Sequence, residues 1–267
     1  MGRPAGSRQD DKGDGLYVAA VERAMRVLDV VAGRMAPMSL SEIGTATGFG
    51  KSSAQRLTHT LTALGYLEKN PESRRYRLTV RALDLAHGFL ITDPLINDGL
   101  LHLIDASERT GETFNMGKLD GSEIIYIARL PAHRMNVAAA LVGRRQPAYC
   151  ASGGRAIMSQ MPVSEVESLL DSRALHALTP MTITDRMRIL EIIEQARLDG
   201  FCVSNQEVLL GEIGVASAIT DEWGRPLGAV HSSVSTATWT LDAVREKLAP
   251  QVMEVARLIS RPRKALG

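Results

Sequence analysis

The stretch Ser39–Arg77, SLSEIGTATGFGKSSAQRLTHTLTALGYLEKNPESRRYR, reads as two short helices followed by a basic hairpin. Ser39, with Glu42 three residues on, is a capping box that opens the first helix. Leu40, Ile43 and Ala46 give that helix one apolar face, and Gly48 is placed to end it in a left-handed conformation. The second helix is expected from Lys51 to Leu64. At about 100° per residue, Ala54, Leu57, Leu61 and Leu64 fall on one side, and Ser52, Ser53, Gln55, Arg56, His59 and Thr60 on the other. Gly65 stops the helix. Tyr66–Glu68 and Arg75–Arg77 then flank a turn at Asn70-Pro71, forming a wing with Arg74, Arg75 and Arg77 available for phosphate. A helix entering the DNA major groove needs an apolar back and short hydroxyl, amide and guanidinium side chains in front. The short Gly48-Phe49-Gly50 connection, the polar front and the basic wing together favour that reading over an ordinary solvated face.

Upstream, Val18, Val21, Met25, Leu28 and Val31 recur at helical spacing from Tyr17 to Ala32, giving a first helix packed behind this pair. Residues 1–15 are Gly-, Asp- and Arg-rich without periodicity and are expected to be a disordered arm, so the winged helix-turn-helix domain covers 16–79. A linker helix is expected within 80–93. It carries Val80, Leu83, Leu85, Ala86, Phe89 and Leu90, more apolar surface than a lone linker should expose, and dimerisation is the use that suits it.

The texture changes near Pro94. Leu95–Thr110 reads as a helix ended by Gly111. Glu112–Lys118 and Glu123–Leu130 read as strands joined at Asp120-Gly121, and Met135–Val142 as another short strand. Helices are expected at Ser152–Gln160, Ser164–Leu170 (opened by a Ser164/Glu167 capping box) and Thr184–Leu198, stopped by Gly200. Strands follow at Phe201–Ser204, Val215–Thr220 and Pro226–Val234, then a long helix over Leu241–Ser260, interrupted or kinked at Pro250. This order gives an α+β domain over 94–264 with a mainly antiparallel sheet.

The chain's net charge is only +1. Residues 1–90 nevertheless hold 13 Lys/Arg against 9 Asp/Glu, and the remainder 18 against 21. A basic front and an acidic rear fit an N-terminal part that meets phosphate. No apolar run reaches the roughly 18 residues of a membrane span, and Arg3 and Arg8 precede no apolar core of a signal peptide. With two cysteines, Cys150 and Cys202, a reduced cytoplasmic setting is expected and no membrane partner.

Taken together, the residues resemble the IclR family of bacterial transcriptional regulators from about Tyr17 to Arg263. The matches are Val21–Met25 with Val27-Leu28, Ser39–Ile43, Lys51–Ser53 with Arg56-Leu57, Leu64–Leu67 and Arg75–Leu78. Further on they are Thr110–Thr113, Leu119–Gly121, Val142–Arg145, Ser152–Ala156, Asp199–Phe201 and Gly224–Pro226. The resemblance implies a winged helix-turn-helix joined by a linker helix to a GAF-like effector-binding domain, assembled as a homodimer or dimer of dimers. It implies binding to double-stranded operator DNA near catabolic operons, under control of a small-molecule effector, often an organic acid. Pro147–Cys150 looks more like the members that govern aromatic-acid breakdown.

For DNA contact the residues singled out are Lys51, Ser52, Ser53, Gln55, Arg56, His59 and Thr60, with Arg74, Arg75 and Arg77 adding affinity without sequence preference. The family's effector pocket falls on Met135, Ala138, Gln146, Ser152, Gly153, Ser204, Glu212, Gly214, His231 and Ser233. Ser152 and Gly153 open a helix whose N-terminal N–H groups suit a carboxylate. Glu212 stands where an apolar residue is common and His231 where a small hydroxyl is. Those departures point to a larger or hydroxylated ligand rather than a small oxo-acid.

No enzymatic activity, cofactor or metal is expected. Cys150 and His133 lack an evident general base, and the histidines His59, His87, His102, His133, His176 and His231 show no ligand spacing. Ser152–Arg155 lacks the Lys-Ser/Thr of a phosphate-binding loop. The rival class is a small-molecule-sensing or enzymatic GAF-like protein that does not act on DNA.

Overall fold

The computed structural model describes residues 15–34, 36–130 and 142–261, and the chain divides into two compact units at the Thr92/Asp93 junction. The expected arm thus lies outside the described residues, Gly15 apart. Among those residues no helix is long and apolar enough to cross a membrane.

The first unit contains α1 (Ala19–Ala32), α2 (Leu40–Thr47), α3 (Lys51–Ala63), β1 (Leu67–Lys69), β2 (Tyr76–Leu78) and α4 (Ala82–Thr92). The capping box forms: Ser39 Oγ accepts the Glu42 N–H at 3.3 Å and Glu42 Oε2 accepts the Ser39 N–H at 2.7 Å. Gly48, at φ 71°, closes α2. Val27, Val31, Met38, Ile43, Leu61, Leu67 and Tyr76 make the core. Two expected apolar faces are corrected here. On α1, Val18, Val21 and Met25 are exposed, because the core reaches only the C-terminal half of the helix, at Val27 and Val31. On α3, Leu64 takes the cap position and is exposed, while Thr58 is buried with its hydroxyl turned onto the Ala54 carbonyl at 2.9 Å.

The wing pairs Leu67 with Leu78 and Lys69 with Tyr76. Met38 also bridges Tyr76 through N–H···O bonds of 2.9 and 2.7 Å, so Tyr76 pairs with two chain segments. The Asn70 side-chain oxygen accepts N–H bonds from Glu72 and Ser73 at 3.0 and 2.8 Å, which shapes the tip. Arg74 follows at φ 59°, a left-handed conformation uncommon outside glycine.

The second unit contains α5 (Pro94–Thr110), β3 (Thr113–Asp120), β4 (Glu123–Leu130), β5 (Arg145–Pro147), α6 (Ser152–Met158), α7 (Val163–Asp171) and α8 (Arg186–Asp199). It continues with β6 (Cys202–Asn205), β7 (Glu212–Thr220), β8 (Pro226–Ser235), α9 (Leu241–Ala243) and α10 (Ala249–Ile259). The sheet has six antiparallel strands in the order β5-β4-β3-β8-β7-β6. Successive side chains alternate between its faces. Phe114, Met116, Val215 and Val230 join Leu103 of α5 and Val252 of α10 in one core. On the other face Ile124, Ala216 and Ala229 meet Ile157 of α6 and Ala196 of α8.

One irregularity matters for the site. Gly117 pairs with Tyr126 but Met116 with Ala128, leaving Ile127 as an extra residue on β4. Ile127 and Ala128 both enter the α5/α10 core. Tyr126 and Arg129 therefore emerge together on the α6 face.

Several expected boundaries are corrected. The helix α7 begins at Val163 behind Pro162 with no side-chain cap, so Ser164 and Glu167 form no capping box. The cap of α8 is Asp185, whose carboxylate accepts the Arg188 N–H. The strand β7 starts at Glu212, three residues before the expected Val215, and the short β5 was not foreseen. The expected Met135–Val142 strand lies outside the described residues except Val142, which is in a turn. The last helix is interrupted before Pro250: Val244–Leu248 is a π segment, and Pro250 sits in the first turn of α10.

A buried ion pair ties α6 to the loop before β7. Arg155, fully buried, donates to Glu207 at 2.6 and 2.8 Å and to the Tyr149 carbonyl at 2.6 Å. Glu207 also accepts the Ile183 N–H at 3.1 Å.

Candidate DNA interface and effector site

In the first unit, Lys51, Ser52, Gln55, Arg56, His59 and Thr60 are exposed along α3, and Ser53 is half-buried. Ser52, Gln55, Arg56, His59 and Thr62 line one wall of a groove of about 620 Å³, faced by Lys69, Arg74 and Tyr76 of the wing and by Leu40. The side chains of Gln55, Arg56 and His59 have no hydrogen-bond or ion-pair partner among the described residues. The three wing arginines, alike in the sequence, differ in the structure. Arg75 Nη1 donates to Glu42 at 3.0 Å and to the Pro37 carbonyl at 2.8 Å, and Arg77 pairs with Glu68. Arg74 lines the groove without such a partner among the described residues. A phosphate must compete with carboxylates for Arg75 and Arg77, but not for Arg74 or Arg56. Lys69 and Thr62 were not singled out from sequence, because they join the groove only when the wing folds back on α3.

In the second unit, a small cavity beside α6 is lined by Gln146, Ala151, Ser152, Ser204, Val208, Leu209, Glu212, Gly214 and His231. Its volume is about 10 Å³, room for roughly one water-sized atom. Six of the expected pocket residues line it: Gln146, Ser152, Ser204, Glu212, Gly214 and His231. Gly153 does not. A Cβ there would come within 2.6 Å of Ile124 Cδ1, so its smallness serves helix–sheet packing. Ser233 pairs with Gly214 on β7 but stays off the wall. Met135 and Ala138 lie outside the described residues. With seven residues, α6 has fewer than two turns, and the side chains around it carry most of the polarity.

His231, on the cavity wall, belongs to a polar row on three adjacent strands. Arg129 on β4 pairs across the sheet with Asn115 on β3, and Asn115 with His231 on β8. Asn115 Nδ2 lies 3.1 Å from His231 Nδ1. With the amide nitrogen as donor, Nδ1 is the acceptor and the ring hydrogen is on Nε2. Burial, followed by the nearby Arg129 and Arg144, pushes the His231 pKa down to about 3, so the ring is neutral at physiological pH. Tyr126 tilts against His231 with ring centroids 5.3 Å apart and donates its hydroxyl hydrogen to Gln146 Oε1 at 3.0 Å. Burial raises the Glu212 carboxyl above its ordinary range, opposed by Arg144 and Arg129.

Among the described residues, three buried side-chain polar atoms without a hydrogen-bond partner lie in this row or on the cavity wall: Asn115 Oδ1, Arg129 Nε and Ser152 Oγ. Each such atom costs about 1–3 kcal/mol when nothing bonds it. Their concentration marks a place that a polar ligand would satisfy. The other reactive groups point elsewhere. Burial pushes the Cys150 and Cys202 thiols up to about 11, which leaves neither as a ready thiolate. Among the described residues no group of His, Cys, Asp and Glu is arranged to hold a metal.

Residues 94–261 match the family described as "Bacterial transcriptional regulator IclR C-terminal", and residues 20–71 match the "IclR helix-turn-helix domain". The chain belongs to the IclR family. It is 29% identical over 255 residues to the Pca regulon regulatory protein of Pseudomonas putida, covering 95% of this chain and 87% of that protein. A transcriptional regulator from Rhodococcus sp. RHA1 superposes with a TM-score of 0.76 at 30% identity, over 91% of this chain and 97% of that one. An IclR homolog from Microbacterium hydrocarbonoxydans, solved in complex with 4-hydroxybenzoate, shares the fold. Its TM-score is 0.74 at 22% identity, over 90% of this chain and 97% of that one. The IclR architecture of a helix-turn-helix unit and an α+β unit with an antiparallel sheet is the one described above. Asn115, Tyr126, Arg129 and Arg144 surround the cavity residue His231 without lining the cavity, and sequence reasoning did not single them out. An asparagine inside the apolar run of β3 was the one local signal available.

Proposed function

We propose that this IclR-family regulator binds operator DNA through α3 and the wing, and that a small organic acid entering the cavity beside α6 controls that binding. The observation that carries this reading is the gathering of three unpaired buried polar atoms beside a cavity in the second unit. The first unit meanwhile presents Gln55, Arg56 and His59, without side-chain partners among the described residues, along one groove. A homo-oligomer is part of the proposal. The helix α4 has no buried residue in this chain, and Leu83, Leu85, Phe89 and Ile91 on it are exposed. A second copy would cover that surface and set two reading heads at half-site spacing.

An aromatic hydroxy acid is the favoured effector class and a catabolic operon the favoured target. Relatives named for the Pca regulon and for 4-hydroxybenzoate support this, as does the hydrogen-bonding character that His231 and Glu212 give the cavity. At about 10 Å³ the cavity has to open for such a ligand, with Val208 and Leu209 on its wall. Coupling between the two sites is a binding free energy that acts in both directions. The test is affinity selection of random duplex DNA by the full chain, repeated with aromatic and aliphatic acids. Enrichment of one sequence, with an affinity shifted by one class of acid, is expected. Binding without sequence preference would remove the operator reading, and indifference to every acid would remove the effector reading.

A further inference from the structure

A neutral imidazole is polar in two opposite senses, one ring nitrogen donating a hydrogen and the other accepting one. Burial keeps the His231 ring neutral, so the sense of the nitrogen that faces the cavity decides what His231 can bind there. That nitrogen is Nε2. Gly214, Ser152 and His231 all line the cavity, and a Cβ built on Gly214 would lie 3.0 Å from His231 Nε2 and 2.9 Å from Ser152 Oγ. No hydrogen bond to Nε2 forms among the described residues.

The sense of Nε2 is set from the other side of the ring. Nδ1 lies 3.1 Å from the amide of Asn115, which is fully buried. An asparagine can meet Nδ1 with either end: its nitrogen makes Nδ1 the acceptor, and its oxygen makes Nδ1 the donor. The residue on the far side of Asn115 chooses between them. Asn115 pairs with Arg129 on β4 as directly as with His231 on β8, and side chains so opposed start about 5 Å apart at Cβ. Arg129 lies over the Tyr126 ring, which in turn tilts against His231, so the guanidinium belongs to the same buried cluster. An amide nitrogen turned toward Arg129 would oppose two donors beside a positive charge. An amide oxygen turned that way gives the guanidinium an acceptor. The unused atoms agree with the second arrangement: Asn115 Oδ1 is an acceptor without a donor, and Arg129 Nε a donor without an acceptor.

We infer that Asn115, its amide oriented by the charge of Arg129, is a positioning residue that holds His231 in the Nε2–H tautomer and so makes it a hydrogen-bond donor to the occupant of the cavity. The relay crosses three strands, and neither Asn115 nor Arg129 touches the cavity itself. The donor role rests on the effector reading above; the tautomer does not. An occupant set against Nε2 must offer a lone pair, as a carbonyl, carboxylate, ether or hydroxyl oxygen does. One that brings an amine or amide N–H to that point leaves two buried donors opposed.

The test is nitrogen-15 NMR of the full-length chain labelled at histidine, at neutral pH and without ligand, with His231 assigned by comparison with His231→Asn. In the unaltered protein Nδ1 is expected in the unprotonated range and Nε2 in the protonated range. Asn115→Asp, whose ionised side chain only accepts, should move the proton to Nδ1. Arg129→Met, which leaves the Asn115 amide free to turn, should add a second population protonated at Nδ1. A ring protonated at Nδ1 in the unaltered protein overturns the inference without recourse to any variant. An Asn115→Asp ring that keeps the parent pattern removes Asn115 from control, and an unchanged Arg129→Met ring removes Arg129. With 4-hydroxybenzoate added, the Nε2 resonance should shift while Nδ1 stays unprotonated. A response of operator affinity to that acid with Nε2 unmoved overturns the donor role. Indifference of both to every acid removes the effector reading and the donor role with it, whereas the tautomer measured without ligand stands.

Discussion

Arg129 and Tyr126 are three residues apart on β4, yet the Arg129 guanidinium lies 4.9 Å over the Tyr126 ring on the same face of the sheet. Strict alternation would send residues at an odd separation to opposite faces. The extra residue Ile127 resets the alternation, and both Ile127 and Ala128 are taken into the α5/α10 core. The bulge therefore adds a cation to a polar face that already holds Asn115 and His231.

Arg56 on α3, without a side-chain partner among the described residues, is expected to be the most sensitive position for DNA. Arg56→Ala should lower operator affinity by about 10- to 100-fold, the range of one specific base contact, with an unchanged circular dichroism spectrum. Arg74→Ala should weaken all sequences alike and reduce the slope of log affinity against log salt by about one. Arg77→Ala, already paired with Glu68, should change that slope less. An Arg56→Ala protein that shifts operator DNA as the parent does would remove this assignment.

Ser39 caps α2 through the Glu42 N–H, and Glu42 in turn receives Arg75. Ser39→Ala should destabilise the first unit by about 1 kcal/mol, read as a lower melting temperature by circular dichroism. Hydrogen bonds from the Ser39 backbone and hydroxyl hold the Glu42 carboxyl below its ordinary range. Its contribution is therefore present above the unfolded carboxyl pKa and fades as pH falls through the lowered value. Glu42→Gln should flatten that acid limb; an unchanged limb would show that the box does not titrate.

His231 has its folded pKa depressed to about 3 from 6.5. Between those values the unfolded chain binds the proton that the folded chain refuses, so stability rises with pH there. Its full contribution is present above about pH 6.5, and it is lost progressively on acidification toward 3. His231→Asn should reduce the fall in melting temperature between pH 7 and pH 5, measured by scanning calorimetry. A fall of the same size in both proteins would contradict it.

Gly214→Ala places a methyl 2.9 Å from Ser152 Oγ and 3.0 Å from His231 Nε2. The variant should keep DNA affinity in the absence of effector and lose the response to acid, seen by fluorescence anisotropy on labelled operator. A retained response would show that the ligand does not approach Gly214.

Arg155 and Glu207 form a bidentate pair with side chains 0% and 5% exposed. Breaking such a pair from one side leaves a buried charge and costs about 3–5 kcal/mol. Arg155→Met should therefore melt far below the parent, and adding Glu207→Met should recover part of the loss. A double variant no more stable than the single one would argue against an uncompensated carboxylate as the cause.

The helix-turn-helix was legible from local rules alone. Ser39, Glu42, Gly48 and Gly65 set helix ends through bonds within a few residues of themselves, and the polar stripe of α3 follows from a fixed angular period. Six effector-site positions that line the cavity were reached only through resemblance to a family, since Gln146, Ser152, Ser204, Glu212, Gly214 and His231 sit on separate elements. What the chain cannot announce locally is how strands are paired. Asn115 reads as one polar residue in an apolar strand until register sets it between Arg129 and His231. Arg75 reads as a phosphate ligand until the wing folds it onto Glu42. The Ser39/Glu42 capping box, the glycine helix stops and the polar stripe of α3 were thus determined by the sequence itself, because each is enforced over a handful of bonds, whereas the Ser164/Glu167 box and the apolar stripe of α1 yielded to packing. The arginine-to-histidine row and the orphaned atoms around it were decided by the tertiary structure, because a single extra residue on β4 inverts the facing of all that follows on the strand.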